Sequence, residues 1–280
     1  MLQKSIIQFV LLSLFVPLPC LGSQSTTSNL SIWSDTEKES FLMRAKVMKM
    51  KKVHTGVTGT RRATLSDGSY THDASIQSID VSKTSHATAQ GWEINFRDSY
   101  KYNIAAYRLD RLLNLQMIPV SVERKIKGKW ASVTWWVDDV KMMASKRYQK
   151  KIAPPNRAKW NDQMFQVRIF NELVYNTDAN LGNLLITNDW KLVMIDFSRG
   201  FRRHKDLLDP KNLLNCKLDR RFYDGMRELK EDAVKRLLAD VLSKAEMEGL
   251  MARKDKIVTH FDGLIAQKGE TPVLCSLPGH

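Results

Sequence analysis

Two short apolar runs, residues 184–186 and 192–195, constrain this chain more than any other feature. They are separated by Asn188-Asp189, and runs of this length closed by an Asn/Asp turn read as a buried β-hairpin. A buried hairpin holds its own ends in fixed relation. Polar residues stand at those ends: Asp178 lies before the first run, Asn183 follows it by five positions, and Asp196 closes the second run. One small element thus gathers a carboxylate, an amide and a second carboxylate.

That set suits phosphoryl transfer, where metal ions neutralise charge on the phosphates while a separate group orients the attacking hydroxyl. In such a scheme Asp178 is the base or hydroxyl-orienting residue. Asn183 and Asp196 hold magnesium or manganese through oxygen, the ligand atom these hard cations prefer. An Asp followed at this spacing by Asn arises by chance about once in a chain of this size, and each residue could serve only as a turn or cap. The added weight comes from order along the chain: a helical pattern before the hairpin and a sheet-plus-helix pattern further upstream.

The upstream part alternates as strands do over 41–53, 61–65 and 72–81, with turns at Gly56-Val57-Thr58-Gly59 and Ser66-Asp67-Gly68. Over 102–115 the apolar residues recur at helical spacing, and strands at 119–126 and 130–137 follow. Beyond Pro154-Pro155 the pattern turns helical, at 160–175, 219–229, 231–242 and a long stripe from Met247 to Ile265. The expected fold is α+β: a small antiparallel sheet with one helix over 41–140, then a mainly helical lobe carrying the hairpin over 141–280. At 280 residues the chain can bury such a two-lobed core.

Residues 1–22 carry Lys4, an apolar run of 6–18 and small residues at Cys20 and Gly22, followed by Ser23, the pattern of a secretory signal peptide. The run is too short for a membrane-spanning helix, which needs about 20 residues. No other run is long enough, so the mature chain is expected to lack a transmembrane segment. The Ser/Thr-rich stretch within 23–40 reads as a linker. Export implies a secreted, periplasmic or secretory-lumen protein, in which Cys216 and Cys275 either bridge or stay as two buried thiols. The formal charge of +14 is distributed in short groups, and it suits an anionic partner. Nucleic acid is disfavoured, because zinc-finger spacing, RNA-binding aromatic motifs and a helix-turn-helix pattern are absent from the sequence.

The segment Asn176-Thr177-Asp178 followed by Ile195-Asp196-Phe197-Ser198-Arg199-Gly200-Phe201 resembles the secretory-pathway kinases of the Golgi casein kinase and xylose kinase group. The upstream run Ile104-Ala105-Ala106-Tyr107-Arg108-Leu109-Asp110-Arg111-Leu112-Leu113, then Ile118-Pro119, is similar to the central helix of the same group. The likeness spans roughly residues 74–201. Asp178 and Asn183 resemble, more distantly, the catalytic loop of phosphoinositide kinases and HipA-type kinases. The resemblance implies ATP and a divalent metal in a cleft between lobes, and a hydroxyl acceptor on an exported acidic protein or glycan.

Departures accompany the matches. Ala179-Asn180 stands where the group has an Arg-His pair after the catalytic-loop Asp, Gln77 where it has an ATP-orienting Lys, and Asn103 where it has the paired Glu. Losing both members of an ion pair leaves no buried charge unpaired, and the two amides can hydrogen-bond instead. Lys83 and Glu93 offer a substitute pair if the intervening chain folds back; an ordinary surface salt bridge is the alternative. Gly56 and Gly59 either let backbone amides approach phosphate or form a plain turn. The altered ion pair keeps a second reading open, a secreted pseudokinase that binds a nucleotide or an acidic partner without catalysis. A third is a basic binding protein with no nucleotide role.

Overall fold

Ser34 opens a helix where the sequence suggested a linker. The computed structural model describes residues 33–53, 59–88 and 91–277, so the expected leader, most of the expected linker and Gly56 lie outside the described residues. Helix α1 spans Asp35–Arg44, within both the expected linker and the strand expected from residue 41. A capping box explains it: the Ser34 side chain accepts from Glu37 N, and Glu37 returns the bond to Ser34 N at 2.7 Å. Asp35 and Glu37 in the first turn and Arg44 in the last complement the helix dipole, while Phe41 and Leu42 are buried.

The chain then builds an antiparallel five-stranded sheet from β1 (Lys46–Lys52), β2 (Arg61–Ser66), β3 (Thr71–Gln77), β6 (Ser121–Ile126) and β7 (Lys129–Trp135), in the order β1-β2-β3-β7-β6. The expected continuous strand over 72–81 breaks after Gln77. A separate two-stranded hairpin follows, β4 (Asp80–Thr88) with β5 (Gly91–Ser99). Helix α2 (Lys101–Leu112) packs on β6 and β7, with Ile104, Ala105, Ala106 and Leu109 wholly buried. Tyr107 Oη donates to Glu39 at 2.8 Å, and Arg111 Nε pairs with Asp35 at 2.5 Å, so α1 is tied across α2.

The hairpin is as expected, with a third strand added. β9 (Leu184–Thr187) pairs antiparallel with β10 (Leu192–Met194), and β8 (Val140–Met143) joins the other side of β9. The division expected near residue 140 therefore falls at a strand of the hairpin's own sheet. A short helix α3 (Ala144–Gln149) leads to α4 (Arg157–Leu173), whose amides hold the hairpin: Gln163 Oε1 accepts from Leu192 N at 2.8 Å and its Nε2 donates to Trp190 O at 3.1 Å. The remaining helices are α5 (Arg220–Glu228), capped by Asp219, α6 (Glu231–Leu238) and α7 (Lys244–Lys268). The sixth helix ends four residues before the expected 242, and a turn leads to the Ser243 cap of α7. Parallel strands β11 (Leu218–Asp219) and β12 (Leu274–Cys275) close the helical part.

Cys216 and Cys275 are both free thiols. Cys216 donates to Asn212 O at 3.2 Å, and burial, with Asp162 and Asp219 nearby, pushes the Cys275 thiol up to about 12. Among the described residues no helix is long and apolar enough to cross a membrane.

Candidate active site

The loop that carries Asp178 is shaped by its own asparagines. Asn176, buried after the end of α4, accepts from Asp178 N at 3.1 Å and anchors its amide nitrogen on Asn171 at 2.8 Å. Asn180 caps the next turn by accepting from Gly182 N at 2.8 Å, and its amide nitrogen reaches back to Asp178 O at 3.0 Å. Asn183 donates to the same Asp178 carbonyl at 3.2 Å, while its own carbonyl accepts from Ile195 N at 3.0 Å. The loop and the end of the hairpin are thus one hydrogen-bonded unit.

Asp196 follows with φ of +58°, the left-handed region that a carboxylate side chain tolerates better than most. Two buried amides, Asn103 and Gln77, hold this turn in place. Asn103 Oδ1 accepts from Phe197 N at 2.8 Å, Asn103 Nδ2 donates to Gln77 Oε1 at 2.5 Å, and Gln77 Nε2 donates to Asp196 Oδ1 at 3.3 Å. These bonds form a closed circuit from the backbone of Phe197 to the side chain of Asp196. Each amide can satisfy both neighbours in only one orientation, so the circuit also fixes which way Asn103 and Gln77 point. Gln77 touches Thr60 Oγ1 at 3.4 Å, which places the residue after Gly59 beside it. Gly59 itself has φ of +69° at the entry to β2, where a side chain would be strained.

The substitute pair expected of Lys83 and Glu93 does not form, in the site or on the surface. Lys83 lies 3.4 Å from His86 Nδ1 on the β4–β5 hairpin. Glu93 instead takes two cations, Arg199 at 2.9 Å and Arg202 at 2.6 Å. Carboxylate and guanidinium match in geometry, and one carboxylate can bridge two forks. Arg202 is 5% exposed and also donates to Arg97 O at 2.6 Å and to Thr177 Oγ1 at 3.3 Å, beside Asp178.

Electrostatics follow from this packing. Burial raises the Asp178 carboxyl above its ordinary range; Arg199 opposes the shift, Asp196 reinforces it, and bonds to Asn180 and Asn183 oppose it. Asp98, on β5, is raised chiefly by its own burial; a Ser198 hydrogen bond opposes this, Asp196 adds to it, and Arg199 and Arg202 again oppose it. Sequence reasoning missed Asp98 and gave Arg199 and Arg202 no role. The arginines lie in the matched 195–201 motif and one position past it, but their partner is over one hundred residues away, beyond any spacing rule.

Beneath the loop, α7 grips the segment after Asp196. Arg253 is wholly buried and, among the described residues, has no carboxylate in a salt bridge with it; its Nε donates to Leu173 O at 2.8 Å, and Nη1 donates to Arg202 O at 3.0 Å and to His204 O. Gly249 lies so close that a Cβ there would meet Arg203 O at 2.9 Å. A cavity of about 240 Å³ opens on the other side of the loop, lined in part by Asn180, Asn183, Ile195 and Phe197.

A scan of protein-family models finds no match, and no curated protein is similar in sequence. Solved structures are. Hydra Fam20 with sugar superposes with a TM-score of 0.64 at 15% identity, over 86% of this chain and 92% of that one. The Golgi casein kinase with Mn and ADP bound gives 0.62 at 14% identity, over 86% and 78%. The Helicobacter pylori proinflammatory kinase CtkA gives 0.50 at 10% identity, over 80% and 97%.

The chain has a Fam20-like kinase fold.

At these identities the likeness concerns the fold. Within it, the Asp178 loop, the Asp196 turn and the α2–β3 contact form one connected cluster, in which Gln77 and Asn103 make the neutral hydrogen bond that their two amides allow.

Proposed function

We propose that this Fam20-like kinase fold transfers a phosphoryl group from ATP to a hydroxyl on an exported acidic protein or glycan. The observation that carries the reading is the convergence of Asp178, Asn183 and Asp196 on one hydrogen-bonded unit, with Asp178 partly open to solvent and its carboxyl raised by burial.

Asp178 accepts a hydrogen bond from the acceptor hydroxyl and takes its proton as the oxygen attacks. The new bond joins that oxygen to the γ-phosphorus, the bond from phosphorus to the bridging oxygen breaks, and ADP leaves with the electron pair. Arg199, tied to Glu93 and close enough to influence Asp178, supplies positive charge beside the acceptor in a loop that lacks an Arg-His pair. Among the described residues no three His, Cys, Asp or Glu side chains form a self-contained metal cage. That fits magnesium or manganese, which are bound through one or two protein oxygens plus the phosphates of the nucleotide. Asn183 and Asp196 are the residues that would hold the ion, and it would neutralise phosphate charge. The export pattern of residues 1–22 and the net charge of +14 support an exported, acidic acceptor.

Calorimetry of ATP binding to the purified chain, with and without magnesium or manganese, tests the first half of the reading. Release of ADP and labelling of serine-containing acidic peptides or a soluble glycan test the second. The expected result is metal-dependent binding followed by transfer. A folded chain that binds no ATP in the presence of metal overturns the reading, and binding without transfer to water or any acceptor reduces it to nucleotide recognition.

A further inference from the structure

The five-stranded sheet ends in β1 on one side and β6 on the other, and these two edges border one pocket of about 350 Å³. Met48, Lys49 and Met50 line it from β1, and Arg124, Lys125 and Lys127 from β6 and the turn after it. Among the described residues both strands pair only inward, β1 with β2 and β6 with β7. Two rows of backbone donors and acceptors therefore border one slot. No carboxylate lines it. Apolar surface is offered beside the charges: Met48 is 66% exposed and Trp130 53%, with Lys125 over the Trp130 ring at 5.9 Å.

Lysines on an edge strand guard against edge-to-edge pairing, and that ordinary explanation covers cations on a single edge. Here the cations of two edges converge on one concave slot that also presents methionine. A surface so arranged repels basic strands and selects acidic ones. The charge also decides the occupant. A second copy, itself +14, is repelled, and residues 1–32 of this chain carry Lys4 and no Asp or Glu, so neither suits the slot.

We propose that this slot docks an extended acidic segment of a partner protein, which adds a strand to the β6 edge while Lys49 of β1 faces its carboxylates. β6 is the better template because its register with β7 is unbroken over its 6 residues, whereas β1 is bulged between Val47 and Lys49. Main-chain pairing supplies affinity in such additions, and flanking charges supply selectivity. No residue of the Asp178 loop or its hairpin lines the slot, so docking can be measured without nucleotide and apart from transfer.

The test uses the full chain and a labelled ten-residue peptide of alternating Glu and Val, followed by fluorescence anisotropy without nucleotide. Saturable binding is expected, weakened at least about tenfold by the double variant Lys49→Glu, Lys125→Glu and lost when the peptide is N-methylated throughout. Hydrogen exchange should show the outward amides of β6 slowed by the peptide, with β7 unchanged in the double variant as proof of its fold. No binding overturns the proposal. So does equal binding of the N-methylated peptide, because the slot then reads charge and not a strand. Tighter binding of anionic lipid vesicles or of a single-stranded oligonucleotide, lost in the same double variant, also overturns it in favour of a different class of partner.

Discussion

The hairpin that carries Asp178, Asn183 and Asp196 and the β3–α2 junction that carries Gln77 and Asn103 meet at Asp196, yet they handle charge in opposite ways. On the hairpin side, burial raises Asp178 and the neighbouring Asp98, Asp196 adds to both shifts, Arg199 opposes both and Arg202 opposes that of Asp98. On the junction side, two neutral amides hold the same turn through a closed circuit of hydrogen bonds. A buried ion pair gains its attraction only after a desolvation cost of several kcal/mol per ion, whereas each neutral hydrogen bond contributes about 1 kcal/mol with little such cost. The positioning task of an ion pair can therefore pass to amides. Its charge cannot, and under the proposed function the Glu93-bound Arg199, which acts on Asp178, would supply positive charge instead.

The largest effect should come from the charged side. Asp178→Asn should leave ATP binding within about twofold and lower transfer about 10²- to 10⁴-fold, the range for loss of a positioned acid–base group. In the wild type, activity should fall as pH drops through the Asp178 pKa, and that limb should lie above the ordinary carboxylate range because the group is raised. Binding by calorimetry and turnover by ADP release on the same folded sample decide it. Equal transfer by wild type and variant removes Asp178 from the mechanism.

The two regions also differ in how much of them could be read beforehand. The hairpin was legible because short apolar runs, a turn and polar ends are local signals. The Gln77–Asn103 bond was legible only by comparing the residues with an expected ion pair. Three features were hidden for physical reasons. Helix α1 begins in a Ser/Thr-rich stretch, and its capping box outweighs a composition that reads as a linker. The β4–β5 hairpin leaves Trp92 and Ile94 exposed and bends at Asn95 with φ of +56°, so no alternation of buried and exposed residues announces it. Glu93, whose sequence position suggests Lys83 as its partner, bonds arginines that only the folded chain brings near.

Exchanging the neutral circuit for an ion pair sharpens the comparison. Asn103→Glu alone places a buried carboxylate beside Asp196 and should destabilise the fold by about 3 kcal/mol. Adding Gln77→Lys should recover most of that loss, because the ammonium can bond both carboxylates. Denaturant unfolding of the wild type, both single variants and the double variant gives the coupling, expected to exceed about 1 kcal/mol. Additive losses would mean that the two side chains do not act as the unit their hydrogen bonds imply.

A smaller change is expected from Asp196→Asn, which keeps an acceptor oxygen for Gln77 but removes the anionic ligand. Nucleotide affinity in the presence of magnesium should fall at least about tenfold, with metal-free affinity unchanged. If the two affinities keep their wild-type ratio in a folded variant, Asp196 is not a metal ligand and the charged side of the site has a structural role.

The smallest effect concerns stability, and it tests whether burial alone explains the charged side. The folded-state pKa of Asp178 is raised, by burial first, with Asp196 adding to the shift. The folded state thus disfavours the ionised carboxylate, and the advantage of the protonated form, full below the unfolded-state pKa, is lost as pH rises through the folded-state pKa. Asp178→Asn removes that penalty. Its melting temperature should exceed the wild type's at neutral pH, and the gap should close on acidification once the wild-type carboxyl is protonated. Partial exposure of Asp178 keeps the gap small, because solvent screens its charge. Thermal unfolding across pH 3 to 8 would measure it. A variant less stable than wild type at neutral pH would show that the carboxylate holds the loop together, and a gap that ignores pH would assign the effect to something other than charge.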